Sequence, residues 1–142
     1  MVKMVEKFKE LILKGEFLKA KSIMECITKE QLEKALFEIG CDEGSICAYS
    51  FICFLLLENE SVEYHCMASE LLSIAFPHIY GGYQSALYHI RRAIELDPND
   101  KELKRELLLF NDIPEKLVSD EEARQILADD EEARQIRNQL GL

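Results

Sequence analysis

The sequence predicts an all-α protein of seven short antiparallel helices followed by a helical C-terminal tail. Three observations lead there. Apolar residues recur at three- and four-residue steps along nearly the whole chain, the spacing that lines one face of a helix. The 142 residues include only six glycines and three prolines, too little punctuation for a many-stranded β fold, which turns about every ten residues. A content of 48% apolar and 31% charged residues suits a chain that folds around a core and not a disordered one.

Each element has its own signal. Val2, Val5, Phe8, Leu11 and Ile12 form the first stripe, and Gly15 stops it. Phe17, Ala20, Ile23, Met24 and Ile27 form the second, opening directly after that glycine. Thr28 reads as an N-cap with Gln31 in capping-box position, and the third helix closes on Gly40. The run SICAYSFICFLLL, residues 45–57, is apolar on every side and reads as a central buried helix. At 13 residues it is short of the ~20 needed to cross a bilayer. A fifth helix runs from about Val62 to Ala75 and ends before Pro77, which has no amide hydrogen to donate. A sixth spans about Tyr83 to Leu96, with Tyr83, Ala86, Leu87, Ile90, Ala93 and Ile94 as its inward stripe. A seventh opens near Asp100 and reaches Phe110, and Asn111 to Pro114 break it. The domain is therefore expected over residues 1–118, with an acidic helical tail over 119–142.

The tail contains an internal repeat. DEEARQI occurs at 120–126 and again at 130–136. Ten residues of continuous helix turn through ~1000°, so two copies on one helix would face directions about 80° apart. Ser119 and Asp129 each precede a glutamate by three residues, Glu122 and Glu132, so each copy has its own cap signature. Two consecutive helices and one helix with a soft joint at Ala128–Asp129 are both compatible with this pattern.

The stretch GGYQSALYHIRRAIELDPND, residues 81–100, resembles the second helix and closing turn of a tetratricopeptide repeat (TPR), a helix–turn–helix unit of about 34 residues that stacks into a superhelix. Gly81, Tyr83, Ala86, Ala93 and Pro98 fall at that family's spacings. Weaker counterparts are Gly15, Phe17 and Ala20, where Ile27 replaces the second alanine, and Leu107 with Ala123. The resemblance implies a short TPR-like array of stacked hairpins. Such arrays bind segments of other proteins on a concave face. No peptide-clamping basic set of that family maps onto this chain.

Charge narrows the class of partner. The formal net charge is −10, and residues 45–98 carry 2 basic against 6 acidic side chains, residues 99–142 carry 7 against 12. That excess repels phosphate backbones and anionic lipid, so neither nucleic acid nor membrane is an expected partner, whereas a basic protein is. The five cysteines are odd in number, and the N-terminus alternates charge with hydrophobes and lacks a signal peptide's apolar core. Reduced thiols in a cytoplasmic protein are the simple expectation.

Candidate chemistry is sparse. His65–Cys66 is the most enzyme-like pair, but adjacent helical residues project about 100° apart, a poor geometry for activating a thiolate. Cys41, Cys47 and Cys53 lie six residues apart and lack the paired spacing of a structural zinc site. Gly81–Gly82 is not followed by the glycine, lysine and hydroxyl pattern of a phosphate loop. No cofactor, metal or catalytic residue is therefore expected. The outward side of the sixth helix, with Tyr88, His89, Arg91 and Arg92, is the expected partner-binding surface, because Tyr and Arg are the usual anchors of interfaces. The competing reading pairs both arginines with glutamates of a neighbouring helix.

These features suggest a non-enzymatic protein–protein interaction module, in the form of a small acidic inhibitor of the immunity (antitoxin) kind acting on a basic toxin. A TPR-like adaptor that grips a peptide is the alternative, and a cysteine-dependent or metal enzyme is the alternative of another class.

Overall fold

A computed structural model describes residues 2–130, 135 and 138–141. Among them the chain forms α-helices and one 3₁₀ turn, with no strand: α1 (Val2–Leu13), α2 (Phe17–Ile23) with the 3₁₀ turn Met24–Cys26, α3 (Lys29–Cys41), α4 (Cys47–Glu58), α5 (Val62–Ala75), α6 (Gly82–Leu96), α7 (Lys101–Asp112) and α8 (Asp120–Asp129). The all-α architecture expected from the spacing is the one observed. No helix among the described residues is long and apolar enough to cross a membrane.

The helix starts follow from local chemistry. The capping box at α3 is complete: the Gln31 amide donates to Thr28 Oγ1 at 3.1 Å and the Thr28 amide to Gln31 Oε1 at 2.8 Å. Ser61 caps α5 through the Tyr64 amide, Asp100 caps α7 through the Glu102 and Leu103 amides, and Ser119 caps α8 through the Glu122 amide. Each accepts a hydrogen bond that the first helical turn cannot satisfy internally.

The double glycine divides its work. Gly81 adopts φ +84°, the left-handed region that a Cβ disfavours, and it is the N-cap residue of α6. Gly82 has ordinary φ but no room, since a Cβ there would lie 2.4 Å from the Phe76 carbonyl oxygen. α5 and α6 can therefore fold back on each other tightly, and they form the most extensive helix pair of the molecule. Ala68, Ala86 and Ala93 are fully buried and let helices approach without cavities.

One sequence expectation changes and another gains a cause. Gly40 does not end α3. The helix continues to Cys41, and Gly40 is buried where a Cβ would stand 2.7 Å from Leu71 Cδ1. It marks a close crossing of α3 over α5. α7 ends at Asp112, within the expected break 111–114, and Asn111 forms part of its last turn. Its side chain is buried, and Nδ2 donates to the Val118 carbonyl at 3.0 Å and to Asp120 Oδ1 at 2.9 Å. The amide substitutes for water on a returning chain and ties α7 to the start of α8.

The core runs through the stack. Phe51 of α4 meets Phe8 of α1 edge-on at 5.5 Å and Phe17 of α2 at 5.4 Å. Leu36 and Ile39 of α3, Ile52 of α4 and Leu71 of α5 are essentially without solvent contact. The run 45–57 is only half a central helix, however. Ala48, Phe51, Ile52 and Leu55 are buried while Leu57 is 88% exposed. The first DEEARQI copy packs inward through Ala123 and Ile126, and the chain turns extended at Asp130. The two copies therefore do not share one continuous helix. Asp129 ends α8 and accepts from Gln125 Nε2, and its expected capping partner Glu132 lies outside the described residues.

Candidate functional site

The four residues expected to face a partner are not equivalent. Tyr88 is 59% exposed. Arg91 forms a bidentate pair with Glu122 of α8, both contacts at 2.9 Å. Arg92 forms a second with Glu60, at 2.7 and 2.8 Å, and also holds Glu95 at 2.7 Å. Both arginines thus pair with glutamates brought in by neighbouring elements. His89 reverses expectation most clearly. It is 3% exposed and points between α4, α5 and α6.

His89 belongs to a polar chain whose two imidazoles are buried, running from half-buried Tyr49 to exposed Glu60. The Tyr49 hydroxyl lies 2.8 Å from His89 Nε2, His89 Nδ1 lies 2.9 Å from His65 Nδ1, and His65 Nε2 lies 2.7 Å from Glu60 Oε2. Glu60 is held at a pKa of about 2 by Arg92, with His65 helping, so it is a carboxylate and can only accept. His65 must then carry its proton on Nε2 and accept at Nδ1. His89 must donate from Nδ1 and accept at Nε2 from the Tyr49 O–H. This is the one arrangement that satisfies every contact with both imidazoles neutral. Burial, with His65 beside it, lowers the His89 pKa from 6.5 to about 4. Burial first and Cys53 second raise that of Tyr49. The chain joins three helices and a loop, and of its four members only Glu60 borders a described cavity, a shallow one shared with Tyr88, Arg91, Arg92 and Glu95.

His65 and Cys66 consequently part company. His65 turns into this chain, and Cys66 faces a groove on the other side of α5. That groove, of about 310 Å³, lies among α3, α5 and α7. Val62, Met67, Ile90 and Leu103 supply apolar lining. Around them stand Glu33, Glu63, Glu70, Asp100, Glu102 and Glu106, with Lys29 as the only cation among the described residues. Lys29 is paired with Glu63 at 3.0 Å.

The electrostatics of the groove are those of crowded like charges. Glu70 is raised by burial and then by Glu106 and Glu33. Glu106 is raised by burial and then by Glu102. The Cys66 thiol is pushed up to about 11, by burial first and then by Glu70, Glu106 and Asp100. A thiol held so far above neutrality is almost wholly protonated at pH 7 and is a poor nucleophile. Among the described residues no group of three or more His, Cys, Asp or Glu side chains converges to hold a metal ion.

The groove was not singled out from the sequence, although a signal exists. Glu63 and Glu70 are seven apart on α5, and Glu102 and Glu106 four apart on α7, so each pair shares a helix side. That the two sides face each other across one concavity depends on how the hairpins stack.

No protein-family model, curated protein or solved structure matches this chain.

Proposed function

We propose that this protein is a non-enzymatic, TPR-like interaction module that takes a basic segment of another protein into the groove among α3, α5 and α7. The observation that carries this reading is the groove's composition, six carboxylates around an apolar floor with one lysine that is already paired. Glu70 and Glu106 are partly desolvated and repel their neighbours in the free protein. A lysine or arginine side chain entering the groove relieves that repulsion, so binding gains both from the new pair and from the end of an unfavourable one. An amphipathic segment with cations along one side meets both the floor and the rim.

Among basic partners, a toxin held by an immunity-type inhibitor suits this chemistry, because a net charge of −10 accelerates encounter with a strongly cationic protein. Capture of a peptide carboxylate, the task of an adaptor that grips a chain terminus, needs cations in the groove, and the single paired lysine does not favour it. A reducing, cytoplasmic setting agrees with five unpaired cysteines.

The test is a titration of fluorescent amphipathic peptides, one Lys/Arg-rich and one Glu-rich, against the protein and its Glu70→Lys/Glu106→Lys variant. The basic peptide binds the parent, weakens about tenfold or more from low to high salt, and is lost on charge reversal. Equal binding of the two peptides, or indifference to the reversal, would sink the reading.

A further inference from the structure

The tandem DEEARQI copies are untouched by the groove, and the contacts of the first copy say what such a heptad is for. Four of its side chains hold α8 against α6 and α7. Asp120 accepts from Asn111 Nδ2, Glu122 clamps Arg91 in bidentate fashion, and Ala123 and Ile126 are buried. Ile126 lies with Ile94 and Leu107 on the wall of a groove of about 430 Å³. Ser119 supplies the cap. Ten residues later the sequence offers Asp130, Glu132, Ala133 and Ile136, with Asp129 in the cap position. Every residue that makes the seat's contacts is thus repeated identically, and the cap by another good capping residue.

We propose that the α6–α7 face is a docking site for the DEEARQI heptad and that residues 130–136 are a second ligand for it within the same chain. The period makes the exchange feasible. If Val118 keeps its bonds to Phe110 and Asn111, residues 119–128 become a loop that begins and ends at one place, a length within the range of compact surface loops. Closing ten residues carries a penalty of about thirtyfold in population. The exchange also gives up the Arg105–Asp130 contact at 2.6 Å. The first copy therefore holds the seat in the intact protein, and the second takes it when the first is damaged or drawn away. The tail can then surrender one heptad to a partner while the α6–α7 face stays covered.

The experiment reads contacts of the Ile94 and Leu107 methyl groups by NMR in the full chain, alone and with Ala123→Asp, with Ala133→Asp, and with both. In the parent these methyls contact Ile126. With A123D they contact Ile136 instead, and adding A133D abolishes that contact and lowers the unfolding midpoint further. A133D alone has little effect. The proposal is overturned if A123D leaves the seat methyls without any tail contact, or if A133D costs the same in both backgrounds. Contacts found only between differently labelled chains in a mixed sample also overturn it, since they place the second ligand on another molecule. Should A123D fail to fold by circular dichroism, Glu122→Ala, which removes only the Arg91 clamp, replaces it with the same outcomes at smaller amplitude.

Discussion

His89 shows what one buried side chain can impose on the stability of the whole. Its proton affinity in the folded state is depressed, from 6.5 to about 4, by burial and by His65. Below pH 6.5 the unfolded chain takes up a proton that the folded chain refuses. The stabilisation is therefore full at neutral pH and is lost as pH falls from about 6.5 toward 4. Integrated over that window, the shift corresponds to about 3 kcal/mol. Urea unfolding followed from pH 7 to pH 4 should show this decline, and in His89→Gln, which has no proton to gain, the corresponding part of the slope should vanish. The glycine pair gives a second residue-scale prediction. Gly82→Ala places a methyl group against the Phe76 backbone oxygen, and the expected loss is about 1–3 kcal/mol. Gly81→Ala meets open space and should cost less, through its backbone conformation alone, about 1 kcal/mol. Thermal unfolding of the two single variants ranks them, and the opposite ranking would contradict the division of work assigned to the pair.

Helices in this molecule are held by their ends and by one narrow face each. Ser119 accepts from the Glu122 amide at 3.1 Å, so Ser119→Ala should weaken α8 by about 1 kcal/mol. Hydrogen exchange is the suitable measurement, because faster exchange over residues 120–129 with unchanged exchange in α3–α5 separates local fraying from global loss. Between elements, the close crossing of α3 and α5 depends on Leu71 packing into the space left by Gly40. Leu71 is fully buried, and Leu71→Ala should cost about 2–5 kcal/mol in denaturant unfolding. The polar chain from Tyr49 to Glu60, buried at its two histidines, acts at the same scale. Each bond crosses between elements, α4 to α6, α6 to α5, α5 to the loop before it, and so fixes how those elements are mutually rotated.

At the scale of the whole molecule, the acidic groove sets the proposed binding against stability. Glu106 stands among like charges and is raised by burial and by Glu102, which means that its ionised form is unfavourable in the free protein. Glu106→Gln should therefore stabilise the free protein at pH 7, by no more than a few tenths of a kcal/mol because the side chain is exposed to solvent screening, and weaken the basic peptide in the same preparation. A variant that lost stability and binding together would point to a structural carboxylate and remove Glu106 from the proposed contact surface.

The sequence by itself determined the elements. Apolar periodicity set the number of helices, and Thr28, Ser61, Asp100 and Ser119 set where four of them begin, because caps and stripes are interactions among residues a few positions apart. The surface expected to face a partner was less legible. His89, at a position read as outward, lies inside because Tyr49 and His65, 40 and 24 residues away, form a polar niche for it. Arg91 and Arg92 are engaged because Glu122 and Glu60 reach them from 31 and 32 residues away. The carboxylates of the groove come from three helices that only stacking brings together. Short-range spacing specifies a helix and its faces. Which faces meet, and which charges therefore crowd or cancel, is decided by packing over the full length of the chain.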